Sequence, residues 1–246
     1  MLRGSFAAKD SESDSVYGHF SWMCQLLPYM GRDELHSRFN FDQVWLKNPN
    51  LALAVTRIPE FLNPHDDRHH WKGYPFQGVA LTHFVGMSGV EDRRNVLAAE
   101  LPRGDDRAGV FGYHEVARGG QITDGLGQTI MVIGSGELIQ SPWVQGGGAT
   151  VRGAREPYFD EISGFGSRGL DRRGAMVMFA DGSARTLSAD MDPSVFRAMC
   201  TIHGAETVDV SKWGTPLDRI GSESTPEERE GKGRILEIFV RERPER

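Results

Sequence analysis

The stretch GAMVMFADGSARTLS, residues 174–188, has the clearest strand and turn signals in the chain. Its uninterrupted apolar run, Ala175 to Ala180, is typical of a strand that is buried on both faces. The pair Asp181 and Gly182 then predicts a tight hairpin turn, because both residues tolerate a left-handed backbone. Ser183 begins a partly polar segment that is expected to return as the second strand. The stretch therefore predicts a β-hairpin.

A helix is predicted directly after this hairpin. Asp192 can accept hydrogen bonds from the first free N–H groups of the helix, and Pro193 suits its first position. The helix is expected to end at Gly204. Its apolar stripe consists of Val195, Phe196, Met199 and Cys200.

A second Asp-Gly pair lies upstream, in ITDGLGQTIMVIG, residues 122–134. Asp124 and Gly125 precede an apolar, β-branched run from Thr129 to Ile133, so a second hairpin is predicted. The alternative is that Asp124 and Asp181 belong to a Ca²⁺ or polar clasp. A hard cation needs about six oxygen ligands, however, and the sequence has no EF-hand loop to supply them.

Two more strands are predicted before this segment. Residues 78–90 carry Val79, Leu81, His83 and Val85 on one side at period two, and residues 109–116 are predicted as the next strand. The charged, turn-rich residues 91–107 between them are expected to form a surface loop that tolerates insertions.

The first quarter of the chain is predicted to be helical and irregular. In SWMCQLLPYM, residues 21–30, apolar side chains recur four positions apart, and Ser21 can cap the helix. Further helical turns are expected over residues 33–39 and after Pro49. The motif positions in this segment are Trp22, Leu27, Pro28 and Tyr29, and Pro28 is expected to interrupt the helix.

Composition is that of an ordinary globular protein and excludes several classes. The 246 residues include 28 basic and 34 acidic ones, a net charge of −6, and 39% are apolar. Nucleic acid is not an expected partner, because no basic stripe is present. No apolar run approaches the roughly 18 residues of a membrane span. The sequence as given shows no export signal.

The chain is expected to consist of one domain with two extensions. Residues 1–17 are small and polar and predict a flexible arm, residues 18–214 the folded domain, and residues 215–246 a charged extension. Of the 29 residues from Asp218 onward, 15 are charged. The run RILEIFV, residues 234–240, is too apolar for a free tail and could dock as an added edge strand.

Cys24 and Cys200 are the only cysteines. One long-range disulfide and a pair of buried free thiols are both compatible with the sequence. Since each lies in a predicted amphipathic helix, we predict that both are buried and unbridged.

Three patterns that can carry chemistry have simpler structural explanations. GFGSRG, residues 164–169, has the G-x-G-x-x-G spacing, but a loop precedes it and a strand follows, so a turn is predicted. HDDRHH, residues 65–70, contains potential metal ligands, yet a solvated polar turn is simpler. Asp160 and Glu161 are adjacent and do not face each other as a two-carboxylate mechanism requires. No catalytic residue is predicted, and we expect that the protein is not an enzyme.

Four motifs that follow one another along the chain, around residues 21–30, 122–132, 165–188 and 203–206, together resemble those of a large pseudopilin-like domain family. This family is of undefined function, is abundant in planctomycete-type bacteria and is named for a His-x9-Asp-Gly motif. SWMCQLLPYM is similar to its opening, ITDGLGQTIMV to its middle segment, and FGSRGLDRRGAMVMFADGSARTLS to its closing motif, before the HGAE turn. The resemblance covers residues 19–208. It implies a pilin-like α+β domain with an antiparallel sheet, short N-terminal helices and one helix after the last hairpin.

The chain also departs from the family pattern. Asp171 stands where the family has its motif histidine, and Asn63-Pro64 stands where the family has Cys-Pro, which removes an expected disulfide partner. Family members begin with a basic leader and a long apolar helix that anchors the subunit and packs it into a filament. The sequence as given shows neither, which leaves a trimmed start and a free-standing domain as alternatives.

The resemblance implies a non-catalytic structural or interaction subunit, related to extracytoplasmic or periplasmic assembly or secretion. Protein partners or self-association are expected, through the apolar face that the missing helix would cover, and no cofactor is expected. The alternative is a glycan- or Ca²⁺-binding module of the cell surface, and the third candidate is an uncharacterised hydrolase.

Overall fold

The structure is a computed structural model that describes residues 3–9, 18–91, 96–136, 138–162, 164–170, 173–204 and 206–217. Within these ranges the fold is mixed α/β, with short helices, one six-stranded sheet and two small strand pairs. No helix in the described part is long and apolar enough to cross a membrane.

The helices are short, as the sequence predicts. They are α1 (Trp22–Leu26), α2 (Asp33–Arg38), α3 (Asn50–Leu53) and α4 (Pro193–Cys200). Ser21 caps α1 by accepting a hydrogen bond from the Met23 amide, and Asp192 caps α4 by accepting one from the Ser194 amide. Short 3-10 turns include Leu27–Met30, Pro59–Phe61, Ala98–Glu100, Gly119–Gln121, Gly147–Ala149 and Val210–Lys212.

Ten strands are described. They are β1 (Ser5–Phe6), β2 (Phe20–Ser21), β3 (Leu81–Thr82), β4 (Phe84–Val90), β5 (Ile130–Gly134), β6 (Ser141–Pro142), β7 (Val151–Ala154), β8 (Gly174–Phe179), β9 (Ala184–Ser188) and β10 (Gly214–Pro216). The six-stranded sheet has the order β10-β9-β8-β5-β4-β7, while β1 pairs with β2 and β3 with β6.

The expectation of a purely antiparallel sheet is wrong at one position, because β7 pairs with β4 in parallel. The chain path explains this. β5 runs antiparallel to β4 and ends beside its beginning, where Phe84 is opposite Gly134. The chain then stays at that end, where β6 pairs with β3. β7 therefore starts from the same end as β4 and runs in the same direction.

The hairpin at Asp181 and Gly182 is confirmed as the β8–β9 turn. Gly182 has a φ of 85°, and its amide donates to the Phe179 carbonyl at 2.9 Å. The expectation that β8 is buried on both faces is wrong. Val177 and Phe179 are buried on one face, whereas Met176 and Met178 on the other face are only half-buried.

The sheet separates two apolar cores. On one face, Ala175, Val177 and Phe179 pack in a cluster with Phe196 and Met199 of α4. On the other face lies a larger cluster that contains the side chains of the N-terminal helices. β5 contributes to both clusters, with Ile130 and Ile133 in the α4 core, and Met131 and Val132 in the N-terminal core.

Two other strand predictions are wrong. Asp124 and Gly125 do not form a hairpin turn, since a 3-10 turn, Gly119–Gln121, precedes them and β5 pairs with the distant strands β4 and β8. Residues 109–116 form isolated bridges, not a strand, because their backbone groups bond to several different segments.

The structure also differs in part from the two predicted extensions, residues 1–17 and 215–246. Residues 3–9 of the expected flexible arm are packed on the domain, because β1 pairs with β2 and Ala8 is buried. The sheet extends past the expected boundary at residue 214, through β10. Asp171 and the run 234–240 lie outside the described residues.

The predicted surface loop, residues 91–107, contains buried residues. Ala98 and Ala99 are buried, and the Arg103 side chain lies beneath the surface at 4% exposure. Its guanidinium donates hydrogen bonds to the carbonyls of Ala98, Leu101, Gly109 and Phe111. The loop is therefore organised around one buried cation and does not have the freedom to accept insertions at Arg103.

Both cysteines are free and buried, in α1 and α4, as predicted. Burial raises the pKa of Cys24 to about 12, and it also raises the pKa of Cys200. A thiol that stays protonated is a poor nucleophile. Both cysteines therefore serve as apolar core residues.

Candidate interaction groove

An apolar groove of about 350 Å³ lies between the N-terminal helices and the half-buried face of the sheet. Cavities of about 300 to 1,000 Å³ are typical of sites that hold a small ligand. Among the lining side chains that the structure describes, only Glu60 is charged. The apolar lining consists of Trp22, Met23, Leu26, Met30, Phe61, Phe84, Val132, Met176, Val177, Met178, Ala184 and Leu217, with Gly182 at the turn.

The first wall of the groove is the predicted SWMCQLLPYM helix. This helix is anchored by residues far along the chain. The Ser21 backbone N–H donates to the Val144 carbonyl at 2.9 Å, and the Trp22 indole donates to the Thr150 carbonyl at 2.9 Å. Leu27 is fully buried behind the wall. Pro28 opens the 3-10 turn, and Tyr29 is 44% exposed. Of the four predicted motif positions in this segment, Trp22 lines the groove, whereas Leu27, Pro28 and Tyr29 are not among its lining residues.

The floor of the groove is formed by the sheet. Strand alternation directs Met176 and Met178 of β8 to this face, while Phe179 and Val177, which also borders the groove, pack in the α4 core. Methionine side chains are flexible and polarisable, so they adapt to differently shaped apolar ligands. Met23 and Met30 bring the number of lining methionines to four. The alternation of Met with Ala, Val and Phe in GAMVMF was the available sequence signal, and it was missed.

The second wall is the Pro59–Phe61 turn, which carries Phe61 and Glu60. Glu60 pairs with Arg32 across 2.8 Å at the partly exposed rim. His83, 6% exposed, holds the end of this wall. Its Nδ1 accepts a hydrogen bond from the Asn63 amide at 2.9 Å, and its Nε2 lies 2.7 Å from the Arg68 carbonyl, which requires a proton on Nε2. The neutral ring therefore satisfies both contacts.

We expect the stability of the protein to decrease as the pH falls below about 6.5, through His83. Burial lowers the pKa of His83, against weaker opposing effects of the Arg68 carbonyl and Asp66. The unfolded chain then binds a proton more readily than the folded one. The contribution of His83 to the free energy of unfolding is therefore complete above its pKa in the unfolded chain, about 6.5, and is lost as the pH falls towards its pKa in the folded protein. If Nδ1 were protonated, it would become a donor facing the Asn63 N–H, which is also a donor, and this hydrogen bond would be lost.

Urea unfolding between pH 5 and pH 8 checks this expectation. His83→Gln should weaken the pH dependence, because the amide keeps a donor for Arg68 but does not titrate. His114→Gln, at an exposed position, is the matched control. Equal pH dependence of His83→Gln and the wild type would contradict the assignment.

The two Asp-Gly motifs meet at one end of the sheet. The Asp181 amide donates to the Leu126 carbonyl at 3.1 Å, and the Ala180 amide donates to Thr129 at 2.9 Å. Asp181 accepts from the Ser183 amide and hydroxyl at 2.8 and 2.7 Å, while Asp124 accepts from the Gly204 amide at 2.7 Å. The Thr129 hydroxyl donates to the Gly125 carbonyl at 3.0 Å. Both aspartates thus act as loop acceptors.

Within the described residues, no group of three or more His, Cys, Asp or Glu side chains is placed to hold a metal ion. A Ca²⁺ site at Asp124 or Asp181 would have to use backbone oxygens and water. It remains a prediction.

The two motifs set aside as structural turns contact each other. Asp66 of HDDRHH is buried, forms an ion pair with Arg68, and lies 3.6 Å from Arg168 of GFGSRG. Asn63 donates to the Arg168 carbonyl at 2.8 Å. The expectation that HDDRHH is a solvated turn is therefore wrong in part, because Asp66 is buried and the segment packs against a distant loop. The GFGSRG loop leads into β8 and not into a helix, which agrees with the turn prediction.

A polar cleft of about 440 Å³ lies away from the groove, beside α4. Burial raises the pKa of Glu91 and raises that of Tyr158 to about 12. The cleft is lined by Arg107, Arg155 and Arg197, together with Glu91, Glu156, Tyr158 and Val90. The Tyr158 hydroxyl donates to Glu156 at 3.2 Å.

The fold and the groove define a mixed α/β protein with an adaptable apolar site and with short helices on both faces of its sheet. A family model described as "Protein of unknown function (DUF1559)" matches residues 3–156. The chain belongs to this family. The match includes the segments around Trp22 and Asp124 and ends before Asp181. No curated protein and no solved structure shows a significant match to the chain.

Proposed function

We propose that this chain is a non-catalytic interaction subunit that binds an apolar segment of a protein partner in the groove. The observation that carries the proposal is the groove itself: about 350 Å³, lined by apolar side chains including four methionines. Exposed apolar concavities of this kind mark sites of association in globular proteins. An apolar helix laid in a groove is one of the recurring modes of peptide recognition.

The resemblance to pseudopilin-like domains supports a more specific form of the proposal. In such a subunit the partner segment is an apolar helix, and the assembly is extracytoplasmic or periplasmic and related to secretion. The groove lies against α1, the part of the chain that resembles the family's opening motif. A helix supplied by another subunit would therefore lie beside the wall formed by Trp22 and Leu26.

The proposal is tested with a synthetic apolar helical peptide that carries solubilising lysines at both ends. We expect the full chain to bind this peptide and the Met178→Glu variant to bind it at least about tenfold more weakly, because an unpaired carboxylate in an apolar site is costly to desolvate. Fluorescence anisotropy of the labelled peptide measures the affinity. Val55→Glu, at an apolar position that is 46% exposed and does not line the groove, is the control. Equal loss in both variants, or no binding, would refute the proposal.

The glycan-binding alternative is favoured by a different observation, the arginines of the polar cleft. Guanidinium groups form charge-assisted hydrogen bonds with carboxylates, so an acidic polysaccharide is the matching ligand. Polygalacturonate is the probe and neutral dextran its control, with binding measured by calorimetry. Arg197→Ala is expected to weaken polygalacturonate binding about tenfold, since such a bond contributes about 1.5–3 kcal/mol. Arg118→Ala, at an exposed site outside the cleft, should have no effect.

A further inference from the structure

The described chain ends at the groove. Leu217, one of the lining residues, is also the last residue that the structure describes. It directly follows β10, the strand at the sheet edge that pairs with β9. Ala184 at the beginning of β9 lines the groove as well. The C-terminal sequence therefore starts next to the apolar site.

One run in that C-terminal sequence has the chemistry of a ligand for this groove. Residues 218–246 are mostly polar, with 15 charged side chains among 29, but RILEIFV at 234–240 has five apolar residues. In an extended backbone, alternate side chains point to opposite sides. Leu236, Ile238 and Val240 would then form a continuous apolar side, with Arg234 preceding them at its end, while Glu237 would point away from it.

We propose that residues 234–240 bind in the groove of the same chain, as an internal ligand that a partner has to displace. This inference rests on the proposed function, because both require that the groove binds apolar segments. The groove and its internal ligand then act as a switch: the site is covered until a partner segment of higher affinity competes.

The connection between the two parts has a suitable length. Sixteen residues, 218–233, separate Leu217 from Arg234. A polar chain of this length has an r.m.s. span of about 20–24 Å. Tethering at such a distance gives an effective concentration in the millimolar range. A segment of modest intrinsic affinity therefore occupies a site beside its tether for most of the time, whereas the same segment in solution would not.

The test uses the full chain and a variant of the segment, Leu236→Glu/Ile238→Glu. Ser222→Glu/Ser224→Glu adds the same charge within the connection and is the matched control. A labelled synthetic peptide spanning residues 232–243 is the probe. We expect it to bind Leu236→Glu/Ile238→Glu about tenfold more tightly than the wild type, because an internal ligand that closes nine tenths of the molecules lowers the apparent affinity tenfold. The control should behave as the wild type.

The outcomes separate this inference from the proposed function. Binding of the peptide to Leu236→Glu/Ile238→Glu, abolished by Met178→Glu, places the segment in the groove. If an apolar helical peptide binds the groove but Leu236→Glu/Ile238→Glu has no effect, the internal ligand is refuted and the proposed function stands. If neither peptide binds any form, both fail. A wild-type dimer in light scattering that Leu236→Glu/Ile238→Glu dissociates would place the segment in a second copy and would overturn the internal arrangement.

Discussion

Replacement of Arg103 by methionine is expected to lower the free energy of unfolding by about 3–5 kcal/mol, the range for removing one partner from a buried charged network. The Arg103 Nη atoms donate to the Gly109 carbonyl at 2.6 Å, Phe111 at 3.0 Å, Leu101 at 2.6 Å and Ala98 at 3.2 Å. Methionine fills the space of the stem but donates nothing. Four carbonyls would lose this donor, although the Ala98 carbonyl keeps the Leu101 amide, and each group left unsatisfied costs about 1–3 kcal/mol before the loop relaxes.

Urea unfolding measures this loss, with Arg118→Met at an exposed position as the control, expected to change stability by less than about 0.5 kcal/mol. Arg103→Lys keeps the charge but not the planar set of donors, so its stability loss should lie between those of Arg103→Met and Arg118→Met. The ion pair with Glu115, at 3.7 Å and partly exposed, contributes little by comparison. If the Arg103→Met protein were as stable as the wild type, the hydrogen bonds from Arg103 to the four carbonyls would not stabilise the loop.

Alanine in place of Gly86 is expected to destabilise the protein by about 3 kcal/mol. A Cβ at Gly86 would lie 2.6, 2.7 and 2.9 Å from three ring carbons of Phe111. That ring cannot move away easily, because it is fully buried and its centroid is 4.9 Å from the Trp22 ring in the groove wall. Forcing an extra methyl group into a packed core costs about 1–3 kcal/mol.

A double-mutant cycle with Phe111→Leu isolates this contact. The smaller side chain makes room for the added methyl group, so the combined loss should be smaller than the sum of the single losses by about 1–2 kcal/mol. Gly104→Ala is the matched control, since no atom lies within 4 Å of an added Cβ there. Strict additivity of Gly86→Ala and Phe111→Leu would show that the ring is not the cause.

The elements that were predictable from the sequence are those that short-range rules determine. The Asp181-Gly182 turn, the Asp192 cap of α4 and the Ser21 cap of α1 each depend on residues within a few positions of one another. The same local rule failed at Asp124. Its carboxylate accepts from the Gly204 amide, a partner 80 positions away that no turn pattern can reveal.

The rest depended on pairings between distant segments. The parallel β4–β7 pair follows from the chain path around β6, which has no local signal. Arg103 has the sequence context of a surface charge, and only the surrounding carbonyls show its burial. The groove brings together residues from Trp22 to Leu217, and the sequence predicts an uncovered apolar surface on the SWMCQLLPYM segment and nearby strands without indicating which strand residues complete it.

The anchoring of the N-terminal helix by residues near 150 has a consequence for how the chain is made. The Ser21 hydroxyl donates to the Trp143 carbonyl and the Trp22 indole to Thr150, across 122 and 128 positions of sequence. During synthesis from the N-terminus, the apolar SWMCQLLPYM segment leaves the ribosome long before these partners exist. Contacts of such separation also form slowly once they are possible. The nascent chain therefore presents an uncovered apolar segment until residues 143–150 have been made, which is the state that chaperones recognise.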